Sequence, residues 1–254
     1  MNKKVFAACG CSKGKIRSNN EDNFYFNGNI LPAENNALST VLTAQSDLSS
    51  PFCTAVFDGM GGEQFGECAA FAAAHRMKDR LAQNPWNELP TEERLEALSI
   101  DLNAVVVEKA RELLTRHMGS TLAGLLLEKG NAYSFNLGDS RVYLLRNREV
   151  KQISIDHVDS RAFFKKNTKP SLTQHLGIDE EEFLVEPSIF RLELQAGDRY
   201  MLCSDGLTDM VSDGQIKDLL EKAESASNAV RKLIDTALDN GGRDNITVIV
   251  LTVE

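Results

Sequence analysis

Apolar residues in this chain recur on two rhythms, and the switches between them divide it into elements. Residues 3–9 and 52–57 are short runs of Val, Phe, Ala and Thr closed by glycine, which predicts strands. Residues 27–51 are polar and punctuated by Pro32, Asn35, Asn36 and Pro51, a long loop with one short strand near Ser39 to Leu42. Over residues 63–83 the rhythm lengthens. Phe65, Ala69, Phe71, Ala72 and Met77 fall at helical spacing, and the run ends before Asn84-Pro85. Thr91-x-x-Arg94 opens a second long helix with Leu95, Leu98, Leu102, Val105, Val106 and Leu113 on one side, so the two form a hairpin with an apolar seam.

From Ser120 the short rhythm returns. Residues 120–127, 131–137, 141–146 and 149–155 are separated by turn residues and read as an antiparallel meander. An irregular basic segment over 157–176 follows, then strands at 183–194 and 199–204. Helices are expected over 212–223 and 226–239, and a last strand over 246–253. Strands clustered in runs, with helices in pairs, predict an α+β fold rather than βαβ alternation. The expected architecture is a central sandwich of two antiparallel β-sheets flanked by pairs of antiparallel helices, in one domain over residues 1–254.

Composition narrows the function. A net charge of −9 argues against a nucleic-acid binder and suits a protein that holds cations. No apolar run is long enough to span a bilayer, so no membrane partner is expected. Five cysteines, an odd number set mostly in apolar segments, fit reduced thiols and a cytoplasmic protein. Lys3-Lys4 before Val5 to Cys9 looks like a lipoprotein leader, but its apolar stretch is too short and is expected to be the first strand.

The chemistry lies in six acidic residues held in five tight motifs: Glu21 and Asp22, Asp58, Asp139, Asp205 and Asp244. Three of the motifs end an apolar run at a glycine, which puts the carboxylate at a strand end. Gathered carboxylates repel unless cations neutralise them, and an all-oxygen set without histidine or cysteine suits magnesium or manganese. Gly59-Met60-Gly61-Gly62 invites a dinucleotide reading, but Gln64 stands where the third glycine is needed and no βαβ unit follows. Asp139 and Asp205 taken singly could be turn residues. Together, the five motifs exceed what turn chemistry explains.

Arg17-x-x-Asn20-Glu21-Asp22, Asp58-Gly59-Met60-Gly61-Gly62, Gly119-Ser120-Thr121, Gly138-Asp139-Ser140-Arg141, Ser204-Asp205-Gly206-Leu207 and Asp244-Asn245-Ile246-Thr247 follow one another in a familiar order. In order and approximate spacing, from about residue 5 to 253, the set resembles the metal-dependent serine/threonine protein phosphatases of type 2C. The resemblance implies two Mg2+ or Mn2+ ions, and a possible third, at one end of the sandwich. Asp58 would bridge two ions, with the Gly59 carbonyl on one of them. Glu21 would serve one side, Asp205 and Asp244 the other. Asp22 would be a ligand or an acceptor for metal-held water, Asp139 with Asp205 would hold the third ion, and Arg17 would bind phosphate. A water bridging the ions would attack the phosphoserine or phosphothreonine of a protein substrate.

The resemblance further implies a monomer that opposes a cognate kinase. Alternatives are a non-catalytic phosphoprotein binder and a two-metal phosphodiesterase. Met60 stands where eukaryotic relatives carry a histidine, as in bacterial-type members. His157 is the available substitute acid, although it also reads as a turn residue. Residues 157–176, with Arg161, Lys165, Lys166 and Lys169, read either as a connecting loop or, in the place of the family's flap, as a segment that would meet acidic substrate residues.

Overall fold

The computed structural model describes residues 3–60, 65–83, 89–115, 117–159, 170–179 and 183–254. Strand β1 (Val5–Ser12) turns Val5, Ala7, Cys9 and Cys11 to one side and Ala8 to the other, and both sides are apolar and buried. It therefore sits inside a sheet covered on both faces. It pairs antiparallel along its whole length with β12 (Ile246–Val253), from Val5 opposite Val253 to Ser12 opposite Ile246. Around this pair the first sheet runs β3 (Leu42–Ser46), β1, β12, β11 (Arg199–Cys203), β8 (Arg141–Arg146), β9 (Glu149–Gln152). The second runs β10 (Ser188–Glu193), β7 (Asn131–Leu137), β6 (Leu122–Glu128), β4 (Phe52–Met60), β2 (Asp22–Phe26), and the two-residue β5 (Gly119–Ser120) joins the end of β4.

Three apolar layers hold these parts together. Between the sheets lie Cys9, Phe24, Val56, Leu125, Tyr200 and Ile249. Helices α1 (Gly66–Ala82) and α2 (Thr91–Glu112) cover the second sheet, packing Ala73, Met77 and Leu102 on Phe57, Leu126 and Phe135. On the opposite face, α4 (Asp213–Lys222) and α5 (Ala226–Asp239) pack Ile216, Leu220, Val230 and Leu233 on Met201 and Val248. The expected sandwich with a helix pair on each face is what the chain forms. Among the described residues no helix is long and apolar enough to cross a membrane.

Several expectations need correction. The four strands after Ser120 are not one meander: β6 and β7 lie in the second sheet, β8 and β9 in the first. The chain changes sheets at Gly138-Asp139-Ser140, where Gly138 has φ +98°, a left-handed conformation that only glycine adopts without strain. The 27–51 loop is interrupted by β3 at Leu42–Ser46, later than expected. Strand β2 lies in the acidic motif itself, and a one-turn helix, α3 (Asp205–Thr208), follows β11. The strand expected over 183–194 is confined to Ser188–Glu193. Gly61, Gly62 and the cationic residues Arg161, Lys165, Lys166 and Lys169 lie outside the described residues.

All five cysteines are free thiols. Cys203 belongs to the core facing α4 and α5, and burial pushes its thiol up to about 12. It is a packing residue rather than a nucleophile.

Candidate metal centre

The topology brings the six acidic residues to one end of the sandwich. β2 begins there with Asp22, β4 ends there through Asp58, and the sheet switch carries Asp139. β11 ends there before Asp205, and Asp244 precedes β12. Asp22 and Asp58 are direct cross-strand partners in the β2–β4 ladder. Like charges directly opposite on neighbouring strands destabilise a sheet, so the pairing calls for a compensating charge. On its other side Asp58 is clamped by Thr121, whose Oγ1 accepts from the Asp58 N–H at 3.0 Å and whose N–H donates to the Asp58 carbonyl at 2.8 Å. Thr121 Oγ1 also lies 2.7 Å from Ser140 Oγ, which ties the Asp139 turn to Asp58.

Asp22 joins the two sheets. Its Oδ2 accepts from Ser204 Oγ at 2.8 Å and from Thr247 Oγ1 at 2.7 Å, both in the first sheet's layer. Its Oδ1 is buried and has no hydrogen-bond partner. Burial, reinforced by the nearby Asp244 and Glu21 carboxylates, pushes its pKa up to about 7, against the bonds from Thr247 and Ser204. An orphaned carboxylate oxygen in a buried cluster of like charge fits a cation.

Glu21 sits at the N-terminus of α1, where a Cβ on Gly66 would come within 2.9 Å of its Oε2. Burial raises its pKa, with Glu67 and Asp244 adding to the effect and the Asn19 bond and Arg17 opposing it. Gly59 lies so close beneath that a Cβ there would collide with the Gly66 carbonyl. This approach explains the glycine after Asp58. Across the site, Asp205 opens α3. A Cβ on Gly206 would collide with the Asn245 carbonyl and lie 3.2 Å from Asp244 Cβ.

Arg17 reaches in from the rim. Its Nη2 donates to Asp244 Oδ2 at 2.6 Å, and the charges of Glu21 and Asp58 also act on it. Among the described residues no three histidine, cysteine or acidic side chains stand in metal-holding geometry. The Arg17 guanidinium lies on Asp244. The donor chemistry is nonetheless all oxygen, as a hard divalent cation requires.

The sequence motifs contain some of the supporting residues but do not reveal their bonds. Asn245 Oδ1 accepts from the Glu21 N–H at 2.8 Å, while its Nδ2 donates to the carbonyls of Lys13 and Asn19. It thereby locks the Arg17–Asp22 loop onto the Asp244 loop. Glu67 in the first turn of α1 is a further carboxylate near Glu21. His157 accepts from the Gly138 N–H at Nδ1 (3.2 Å), and its Nε2 lies 2.9 Å from Ser188 Oγ. With both ring nitrogens engaged, it holds the Asp139 turn, as does the Arg141–Asp156 ion pair at 2.7 Å.

One pH effect follows for the ion-free protein. Folding favours the neutral form of Asp22, so its contribution is fully present below the usual value of 3.8 and is lost as pH rises to about 7. Urea denaturation in chelator should show wild-type stability falling relative to Asp22→Asn across this window. Equal pH profiles for the two proteins would contradict the burial of this carboxylate.

Residues 40–246 match the sequence profile of the family described as Protein phosphatase 2C. The serine/threonine protein phosphatase PstP of Mycobacterium tuberculosis is 33% identical over 257 residues, covering 97% of this chain. The chain spans 44% of that relative's length. The serine/threonine phosphatase stp of Listeria welshimeri is 30% identical over 258 residues, 94% of this chain and 92% of that protein. Among solved structures, the catalytic domain of PstP in complex with two manganese ions superposes with a TM-score of 0.75 at 31% identity, over 98% of this chain and 99% of that one. Sandwich and sequence agree over most of the chain's length: it belongs to the protein phosphatase 2C family.

Proposed function

We propose that this chain is a metal-dependent hydrolase of phosphoserine and phosphothreonine in proteins, acting within a single catalytic domain over residues 1–254. The observation that carries this reading is the buried Asp22 opposite Asp58, with an orphaned oxygen and an arginine at the rim. The residues that would hold two Mg2+ or Mn2+ ions are Glu21, Asp58, Asp205 and Asp244 with the Gly59 carbonyl. Asp22 stands beside them, and Asp139 with Asp205 would hold a third. When bound, such ions lower the pKa of water into the neutral range and offset phosphoryl charge. The manganese in the PstP structure supports this choice of ion.

The chain's own residues supply the rest. Arg17 offers a planar fork of donors that matches phosphoryl oxygens and orients the ester. Thr121 and Asn245 keep Asp58 and the Glu21 segment from shifting. Ser204 and Thr247 fix Asp22 Oδ2 and leave Oδ1 without a hydrogen-bond partner. In this reading the protein is a cytoplasmic monomer that reverses a cognate kinase.

The experiment is an assay of a phosphothreonine peptide beside a bis-aryl phosphodiester, with manganese and with chelator. Manganese-dependent release of phosphate from the peptide alone is expected. Preference for the diester would identify a phosphodiesterase, and peptide binding without turnover a non-catalytic relative.

A further inference from the structure

A second charged feature adjoins the acidic centre and has the opposite sign. The loop after β1 carries Lys13, Lys15 and Arg17, and the loop before β12 carries Arg243. The two loops are stitched together. Lys15 N–H donates to the Gly242 carbonyl at 2.7 Å, and the Lys13 carbonyl accepts from Asn245 Nδ2 at 2.9 Å. A Cβ on Gly242 would lie 3.3 Å from Lys15 Cγ. Lys15 and Arg243 are exposed, Lys13 half-buried, and Ile16 between Lys15 and Arg17 is 70% exposed.

What sets these cations apart is that they gather, without a counter-charge, on two joined loops beside Arg17. Several arginines elsewhere are committed to carboxylates: Arg80 to Asp101, Arg141 to Asp156, Arg146 to Asp198. Among the described residues no carboxylate forms an ion pair with Lys13, Lys15 or Arg243. In a chain of net charge −9, three uncommitted cations on two joined loops concentrate positive potential beside the phosphate-binding arginine. Lys13 also lines a groove of about 560 Å3 between residues 36–41 and α5, where Arg231 is a further exposed cation and Asp235 an acid. A flanking polypeptide could lie there.

We infer that the Lys13–Lys15–Arg243 surface selects phosphoprotein segments in which acidic residues flank the phosphorylated one. The inference rests on the phosphatase reading and adds the substrate class. Flanking carboxylates would contact these cations without touching the reacting phosphate. Such contacts raise kcat/KM for the extended substrate and leave a small ester unaffected.

The test compares two phosphothreonine peptides, one with Glu and one with Lys at the flanking positions, beside an aryl phosphate. Wild-type enzyme with manganese at low ionic strength should favour the Glu-flanked peptide by about tenfold in kcat/KM. K13A/K15A/R243A should abolish that preference, and K13E/K15E/R243E should invert it, with aryl phosphate turnover unchanged in both. Added salt should erase the wild-type preference. No flank preference, or equal losses on all three substrates, would overturn the inference while leaving the phosphatase reading intact. No hydrolysis of either peptide at saturating manganese would overturn both.

Discussion

Asp58→Asn should lower kcat/KM for a phosphothreonine peptide by a factor on the order of 10^3 at saturating manganese. Asp58 lies near the end of β4 in the acidic cluster, opposite Asp22 on β2 and bonded on its other side to Thr121, between β5 and β6. Asparagine keeps the shape and the backbone bonds to Thr121 but removes the charge on which, in the proposed centre, two cations depend. The same substitution relieves the repulsion opposite Asp22. The ion-free variant should therefore be no less stable than wild type, and more stable by about 0.5 kcal/mol on the scale of cross-strand charge pairs. Calorimetry in chelator and steady-state kinetics in manganese read the two halves separately. Near-normal turnover would remove Asp58 from the mechanism. Lost activity with a lower Tm would mean that the carboxylate serves the fold.

The second large effect lies at the far end of the sandwich. Arg94, near the start of α2, donates from Nη2 to Glu128 Oε1 at the end of β6, and Thr91 Oγ1 bonds to the same oxygen. Both charged side chains are buried, at 4% and 1% exposure. Removing one member of such a pair strands the other charge in an apolar setting. Arg94→Met should accordingly cost about 3–5 kcal/mol in urea denaturation. Arg94→Met combined with Glu128→Leu should recover most of that loss, because two packed apolar side chains leave nothing unpaired. Turnover per folded molecule should be unchanged in both variants, since Glu128 ends the strand whose opposite end, Leu122, adjoins the acidic site. A small loss in the single variant would show that water reaches Glu128.

The long periodic elements were readable because their apolar faces are continuous. The last strand, expected over 246–253, forms as β12, and the two helices before it lie within a residue or two of their expected limits. Strand β2 was hidden because Asp22-Asn23 has turn composition. In the fold Asn23 is buried, accepting from the Leu31 N–H and donating to the Leu31 carbonyl, a tertiary role that composition does not carry. The sheet switch was unreadable for a different reason. Gly138-Asp139-Ser140 has the spacing of a hairpin, and only the packing of β8 against β11 moves it to the other sheet. The acids could be picked out because each sits beside glycine or asparagine where backbones crowd. Asn245, Ser204 and Thr247 stand in the quoted motifs, but they act through partners distant in sequence, so their roles did not show, and Glu67 looked like an ordinary polar residue.

The full-length pairing of β1 with β12 has a consequence for when this protein becomes competent. Ser12 meets Ile246 at the acidic end, so the loops bearing Arg17 and Asp244 are joined only after nearly the whole described chain exists. A nascent chain emerging at about 5–20 residues per second would expose β1 for roughly 10–50 s before its central partner arrives. During that interval its edge toward β12 is open, and chaperone binding there would compete with misassembly. A chain cut short before Asp244 lacks β12 as well, so it can neither complete this pairing nor bring Asp244 to the other five acids.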